Sequence, residues 1–118
     1  MSAISELKWT GNFLSWCSNE GPKEISFHRQ IANALLLRSN GIAVVEGNDL
    51  EARALILNSD GSIRAILKNP FNPEQAQMFY YFNYEGTNLV VILAGTTRDF
   101  ACEVDETTGV LSLPRETR

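Results

Sequence analysis

The chain has 118 residues, of which 44% are hydrophobic and 20% charged, a composition typical of a globular domain. This length predicts a single domain over residues 1–118. Acidic residues outnumber basic ones by 14 to 10, and the net charge of −4 disfavours contact with nucleic-acid phosphates. No apolar run approaches the roughly 20 residues of a membrane-spanning helix. We therefore predict no nucleic-acid partner, no membrane partner and a cytoplasmic location.

The first part of the chain, residues 7–17, is rich in aromatic side chains and is interrupted by Gly11. It predicts one bent strand or two short ones, with Gly11 as a bulge. Residues 24–38 fit either one face of a helix or two strands, because short apolar runs have no decisive periodicity. The Asn-Gly pair that follows favours strands, so we predict strands over 24–30 and 33–38.

Four glycines mark predicted turns between short apolar runs: Asn40-Gly41, Asp60-Gly61, Glu85-Gly86 and Thr108-Gly109. A tight hairpin turn needs positive φ at its centre, which glycine adopts at little steric cost. The turns therefore predict a series of antiparallel strand pairs. In chain order the paired segments are 33–38 with 42–46, 52–58 with 62–68, 78–84 with 88–94, and 98–104 with 110–113.

Prolines set the limits of these pairs. Pro70 and Pro73 must interrupt the sheet because proline lacks the amide donor of a ladder, and a short helical turn fits residues 73–77. Pro114 ends the last strand, so residues 115–118 are predicted to be a loose tail. The whole pattern predicts an all-β fold, an antiparallel meander of hairpins that forms a small barrel or a two-layer sandwich, with room for one short helix.

Two arginines, Arg53 and Arg64, flank the second predicted turn. Arg53 shares a strand face with apolar side chains, and we predict an edge or ion-pair role for this pair of arginines rather than a ligand anchor. In the second arm of the same hairpin, alternation predicts that Ile63, Ala65 and Leu67 share the buried face. The opposite face of that arm is predicted to be exposed to solvent.

The aromatic run from Met78 to Tyr84 is the most unusual local feature of the sequence. In a regular strand Tyr80, Phe82 and Tyr84 share one face with Met78, while Phe79 faces the other side. The predicted partner strand is apolar on both faces, which favours a central, buried position. The alternative is that the Tyr80, Phe82 and Tyr84 face lines a ligand cavity or a protein interface.

Four carboxylates, Asp99, Glu103, Asp105 and Glu106, lie within eight residues near the C-terminus. Alternation puts Glu103 and Asp105 on one strand face. The segment lacks the spaced oxygen ligands and central glycine of an EF-hand loop, so a solvated hairpin loop is its simplest interpretation. A second interpretation is a negative patch that recognises a basic surface on a partner protein.

Cys17, Cys102 and His28 are residue types that metal sites and nucleophilic catalysis use, but they lie far apart in the sequence. Two cysteines are too few for a disulfide framework. One bridge between them stays open, although reduced, partly buried thiols fit better. No ligand spacing or nucleophile motif surrounds His28, for which we predict a half-exposed strand position. We therefore predict no metal, no cofactor and no catalytic residue.

The lack of a catalytic motif in a small acidic chain favours a non-enzymatic protein that binds and masks another protein, as an immunity-type inhibitor or a chaperone does. A basic partner suits its charge, and a homodimer is a further alternative. A second hypothesis is a carrier that holds a small apolar ligand in a β-barrel. A third is a small hydrolase or isomerase that uses His28 or the carboxylates. The predicted binding residues are Tyr80, Phe82, Tyr84, Asp99, Glu103, Asp105 and Glu106.

Overall fold

A computed structural model describes residues 4–117, which form three antiparallel sheets and one 3-10 turn. The all-β prediction is confirmed. Within the described residues no sheet closes into a barrel, and no helix is long and apolar enough to cross a membrane. The strands are β1 (Ser5–Thr10), β2 (Phe13–Ser18), β3 (Gly21–Ser26), β4 (Ile31–Leu37), β5 (Gly41–Glu46), β6 (Arg53–Asn58), β7 (Ile63–Ile66), β8 (Met78–Glu85), β9 (Asn88–Ala94), β10 (Asp99–Glu103) and β11 (Arg115–Glu116); the 3-10 turn spans Pro73–Gln75.

The first sheet has the order β1-β2-β3 and begins with a hairpin. Thr10 lies opposite Phe13, so the residues between them form a two-residue turn. Gly11 occupies this turn with φ of 60°, because the twist of a two-residue hairpin needs positive φ. The segment is thus two strands, and the predicted bulge at Gly11 is wrong.

A bend separates the first sheet from the second. Backbone hydrogen bonds from Phe27 and Ile31 to the turn of the first hairpin close this bend, each at 2.8 Å. The predicted strand over 24–30 is therefore right only as far as Ser26, where β3 ends. His28 is exposed in the bend rather than half-exposed on a strand.

The second sheet has the order β4-β5-β6-β7, with every neighbouring pair antiparallel. It confirms the predicted hairpins of β4 with β5 and of β6 with β7. The strand at Ile31–Leu37 decides between the helix and the strand for this part of the chain. Its β-branched and leucine side chains fit a pleated, buried surface, and every residue of β5 is buried.

β7 has one extra residue, Arg64, relative to its partner β6. A bulge of this kind changes which face the neighbouring side chains occupy. Ala65 and Leu67 are buried, as predicted, but Ile63 is 53% exposed, so its predicted burial is wrong.

The third sheet has the order β8-β9-β10-β11 and confirms the predicted hairpin of β8 and β9. The predicted fourth hairpin is present only in part, because residues 110–113 form no strand and a single bridge joins Val104 to Leu111. Arg115–Glu116 instead pairs with β10 as β11. The prediction of a loose tail is wrong for these two residues, since the backbone of β10 still offers a free edge at that point.

The second sheet lies between the other two. One of its faces packs on the third sheet to form the main core, and its other face packs on the first sheet. The predicted two-layer sandwich therefore consists of the second and third sheets, and the first sheet adds another layer. Main-core side chains include Ala43, Val45, Ile56, Phe79, Phe82, Val91 and Leu93; the second cluster includes Leu14, Trp16, Ile42, Val44 and Leu57.

Candidate functional site

Five turns lie together at one end of the sandwich, which is called the turn end below. They connect β2 to β3, β4 to β5, β6 to β7 and β8 to β9, and the fifth is the loop 105–109. Residues 18–20, Asn40 and residues 58–60 line one shared groove. Antiparallel hairpins place every second turn at the same end of a sheet, so the recurring glycine signals converge in space.

Arg64 joins three of these turns through its guanidinium. The bulge in β7 directs the side chain across the turn end, where it donates to Asn58 Oδ1 at 2.7 Å and to Ser39 Oγ at 3.1 Å. It also donates to the carbonyl oxygens of Asn40 at 3.1 Å and Glu106 at 3.2 Å. Hydrogen bonds from a charged donor are the stronger class, so Arg64 fixes the loop 105–109 against the β4–β5 turn.

Two of the turn glycines are required by close contacts. A Cβ on Gly41 would lie 2.7 Å from the Leu57 carbonyl oxygen and 2.8 Å from Arg64 Nη2. A Cβ on Gly109 would lie 2.7 Å from the Ala65 Cβ, and Gly109 also has φ of 77°. Glycine at 41 therefore lets the backbone lie close to Arg64, and glycine at 109 lets it lie close to β7. The positive φ of the Asn40-Gly41 turn belongs to Asn40, at 63°, and not to the glycine as predicted.

Tyr84 forms the second link between turns. Its hydroxyl donates to Glu106 Oε2 at 2.8 Å and accepts from the Arg38 amide at 2.9 Å. The Arg38 guanidinium lies 4.1 Å from the centroid of the Tyr84 ring and donates to the Gly86 carbonyl oxygen at 2.9 Å. Burial, together with the Glu106 carboxylate, raises the pKa of Tyr84. The tyrosine therefore stays protonated and able to donate at neutral pH.

The carboxylates of the C-terminal cluster differ in what they contact. Asp105 accepts hydrogen bonds from the Thr108 and Thr107 amides, which hold the pKa of its carboxyl below the ordinary value. Glu106 is committed to Tyr84 by one oxygen, and its Oε1 is buried without a partner among the described residues. Glu103 is exposed and forms no ion pair within residues 4–117. Asp105 thus shapes the loop, while Glu103 is available to a partner.

An open groove of about 530 Å³, called the apolar groove below, runs between the end of β7 and the C-terminal loop. One wall contains Ile66, Lys68 and Pro70, and the other is formed by residues 108–111. Ile66 is 56% exposed and Val110 is 66% exposed. Large apolar side chains that share an open groove are the kind of surface that protein interfaces cover.

A second open groove, of about 310 Å³ and called the acidic groove below, lies on the other side of the same loop. It is lined by residues 87–89 and 103–107, which include three carboxylates and no basic side chain. Residues 105–111 therefore form a ridge with an apolar groove on one side and an acidic groove on the other.

The predicted face of Tyr80, Phe82 and Tyr84 is interrupted at Tyr80, whereas Phe82 and Tyr84 both pack against the main core. A bulge in β8 between Phe79 and Tyr81 leaves Tyr80 as an extra residue, so that simple alternation fails. Phe79 and Phe82 both enter the core, with 3% and 2% exposure, whereas Tyr80 and Tyr81 are exposed. Only Tyr84 of the three predicted aromatic binding residues takes part in the turn end.

The four predicted carboxylates are divided between two places. Asp99 begins β10 and accepts from the Gly95 amide at 3.4 Å, whereas Glu103 ends the same strand beside the acidic groove. Asp105 lies beyond β10 in the loop, so the prediction that it shares a strand face with Glu103 is wrong. The structure thus brings Glu103, Asp105 and Glu106 together and separates Asp99 from them.

Sequence reasoning missed part of this site. Arg53 forms the predicted ion pair, with Glu46 at 2.9 Å, but the central position of Arg64 was not foreseen. Neither Ile66 nor Val110 was predicted to face a groove. A signal was present for Ile66, because alternation placed this apolar residue on the wet face of its strand.

Cys17 and Cys102 are both free thiols, as predicted, and they lie in different sheets. The Cys17 thiol donates to the Glu6 carboxylate at 3.1 Å, and this bond raises its pKa. Burial raises the pKa of Cys102. Residues 4–117 bring no three His, Cys, Asp or Glu side chains into a metal-binding arrangement.

Comparisons with known proteins identify a fold but no family. No family model matches the chain, and no curated protein is significantly similar to it. It is similar to a chain in the solved structure of Tne2 in complex with Tni2, with a TM-score of 0.71 and 13% identity, over 90% of this chain and 77% of that one. It also matches a protein of unknown function from Bacteroides caccae, with a TM-score of 0.46 and 17% identity, over 93% of this chain and 47% of that one. The first likeness shows a shared fold.

Proposed function

We propose that this chain is a cytoplasmic, non-enzymatic protein that binds another protein and masks part of its surface, as an inhibitor or an immunity protein does. The observation that carries the proposal is the ridge, with the apolar groove on one side and the acidic groove on the other. Specific interfaces combine an apolar centre with a polar rim, and Ile66 and Val110 supply the exposed apolar centre here. The two free thiols suit a reducing compartment.

A protein partner fits the grooves better than an enclosed ligand does. Small-molecule sites bury most of the ligand surface in a cavity, whereas both grooves at the ridge are open to solvent. The aromatic side chains that a barrel carrier would use are divided between the core and the surface. These features favour a partner that lies across the surface.

The shared fold supports the same conclusion. The similar solved structure is a complex between two proteins, Tne2 and Tni2, so a protein with this fold takes part in a protein–protein complex. At 13% identity the likeness extends to the fold and not to the residues of an interface. The residues proposed for the interface therefore come from the grooves of this chain alone.

Affinity capture from a native lysate tests the proposal with three forms of the chain. The first is the wild type, and the second carries Ile66→Glu and Val110→Glu in the apolar groove. The third is a matched control with Trp9→Glu and Phe13→Glu, which replaces two exposed apolar side chains on the first sheet. Circular dichroism checks that all three are folded.

We expect the wild type and the control to retain one protein in stoichiometric amount, and the groove variant to lose it. Equal capture by all three forms would show that the groove is not the interface. Recovery of the wild-type chain alone, with a small molecule released on denaturation, would instead support the carrier hypothesis and contradict the proposal.

A further inference from the structure

The apolar groove and the acidic groove share one wall, and this arrangement defines the partner surface that fits. We infer that the turn end binds a basic segment of a partner protein. An apolar side chain of that segment enters the apolar groove, and its lysine or arginine side chains lie against the acidic groove. This inference rests on the proposed function and adds the chemistry of the surface that is masked.

The apolar groove supplies the contact that excludes water. Ile66 and Val110 face it from opposite walls and are each more than half exposed, and Pro70 adds a rigid apolar surface. A partner side chain between them would remove apolar area of all three residues from water, which is the main favourable term in most associations.

The charge of the acidic groove selects the partner. The acidic groove is lined by carboxylates but by no lysine or arginine. In the groove that begins at the β2–β3 turn, by contrast, Glu20 pairs with Lys23 at 3.6 Å. Complementary potentials of this kind set the choice of partner and speed its approach. The carboxylates of the acidic groove are Glu103, Asp105 and Glu106.

The basic side chains at the turn end do not fill the acidic groove. Arg38 donates to the Gly86 carbonyl oxygen and Arg64 to the Asn40 carbonyl oxygen, so both guanidinium groups are held by contacts within the protein. They stabilise the turns that carry the carboxylates. A partner lysine or arginine is therefore the cation that the acidic groove can still accept.

Lys68 gives the site a direction. It lines the apolar groove, and it lies towards the end of β7 that is away from Glu106, because Arg64 at the other end contacts the Glu106 carbonyl oxygen. A basic residue of the partner is repelled near Lys68 and attracted near Glu103. The bound segment therefore directs its basic side chains towards Glu103.

The ridge is already held in shape before a partner arrives. Asp105 donates its amide to the Val110 carbonyl oxygen at 3.0 Å and accepts from the amides of the loop. Arg64 donates to the Glu106 carbonyl oxygen of this loop, and Gly109 packs against Ala65. A preorganised surface loses little conformational entropy on binding, which favours affinity.

NMR titration of the full chain with a short peptide of alternating valine and lysine tests the inference without the natural partner. We expect the largest amide shifts at residues 66–69 and 103–111, and weaker binding as salt is added. A peptide of alternating valine and glutamate is the matched probe, and it is expected not to bind.

Charge variants locate the contact. Glu103→Lys is expected to weaken binding of the lysine peptide about tenfold, and Lys68→Glu to strengthen it severalfold. Glu24→Lys is the matched control, because Glu24 is exposed on β3 and lies outside the turn end. Its peptide affinity is expected to fall by less than about twofold, through net charge alone.

The inference would be overturned if the lysine peptide did not bind at about 1 mM, a concentration that corresponds to a binding free energy of about −4 kcal/mol. It would also be overturned if Glu103→Lys and Glu24→Lys had equal effects, or if both peptides bound equally. Shifts of the ridge amides with protein concentration alone would also overturn it, since a second copy would then occupy the groove. Peptide binding at the ridge without capture of a lysate protein would count against the proposed function and not against the surface chemistry.

Discussion

The two ends of the sandwich hold their carboxylates differently. At the end away from the turns, Glu46 is 2% exposed and accepts from the Arg29 amide at 3.0 Å and from Arg53 at 2.9 Å. Asp49 pairs with Arg29 at 2.7 Å. At the turn end, Glu103 faces an open groove without a basic neighbour in its lining. Arginines at the Glu46 end pair with its acids, whereas Arg38 and Arg64 at the turn end hold backbone turns. Glu20 and Glu85 at the turn end are paired with Lys23 and Arg115.

Burial distinguishes the carboxylates that the fold needs from those that it does not need. A buried charge must be paired, because leaving it unpaired costs far more than the pair contributes. An exposed carboxylate is already solvated by water and needs no protein partner. The acids at the Glu46 end are therefore part of the folded structure. At the turn end, Asp105 and Glu106 hold the loop and Tyr84, whereas the exposed Glu103 is free to contribute to binding.

Removal of the buried carboxylate should have the largest effect on stability. We expect Glu46→Ala to lower the free energy of unfolding by about 3 kcal/mol, because it leaves the Arg29 amide and the Arg53 guanidinium without their acceptor. Urea unfolding followed by circular dichroism measures the change. Glu46→Gln keeps an acceptor oxygen and should lose less than Glu46→Ala. Equal stability of wild type and Glu46→Ala would mean that the pairing is not needed by the fold.

The second prediction concerns the arginine of the turn end. We expect Arg64→Ala to cost about 2 kcal/mol, because its hydrogen bonds to Asn58 and to the backbone of two turns are charge-assisted. Hydrogen exchange should also speed up in the loop 105–109. Arg64→Lys keeps the charge but not the planar fork, so it should restore only part of the loss. Full recovery with lysine would show that charge alone matters.

Local signals predicted the hairpins well. The Asn-Gly and Asp-Gly pairs act through backbone conformation within a few residues, so the turns before β5 and β7 needed no tertiary information. The β-branched residues of β5 likewise fit a strand. Gly41 lies in close contact with Arg64, and Gly109 lies in close contact with β7. These tertiary contacts also require glycine, and no local sequence rule predicts them.

The errors in assigning side chains to strand faces have one physical cause. A single extra residue at Tyr80 and another at Arg64 reverse the alternation that face assignment assumes. Bulges depend on how two strands pair, and one strand alone does not reveal them. The apolar groove was missed for a different reason. Ile66 and Val110 line one groove only through tertiary packing, which no local pattern reveals. The acidic loop was predicted, since its residues are neighbours in sequence.

A smaller effect on stability is expected for the tyrosine that joins two turns. Tyr84→Phe removes the hydroxyl that links the Arg38 amide to Glu106 but keeps the ring under the Arg38 guanidinium. The expected loss is about 1 kcal/mol, the usual net value of a hydrogen bond. Thermal unfolding measures it. A change as large as that of Arg64→Ala would show that the ring packing had also been disturbed.

The pH dependence of the ridge follows from Asp105. Its folded pKa is below the ordinary value, so its contribution to stability is complete above the unfolded pKa of about 3.9. That contribution is lost as the pH falls through the lower folded value. The Thr107 and Thr108 amides should therefore titrate in NMR spectra with a midpoint below about 3.9. Asp105→Asn should abolish this titration, and a midpoint above the ordinary value would contradict the assignment.

The smallest effect on folding is expected for Glu103, whose proposed role is in binding. Glu103→Gln should change the free energy of unfolding by less than about 0.5 kcal/mol, because the side chain is exposed and has no ion pair among the described residues. The same change should reduce capture of the partner protein, whereas Glu24→Gln on β3 should not. The contrary result is that Glu103→Gln destabilises the fold as much as Glu46→Gln does. The carboxylates at both ends would then stabilise the fold, and this result would contradict a binding role for Glu103.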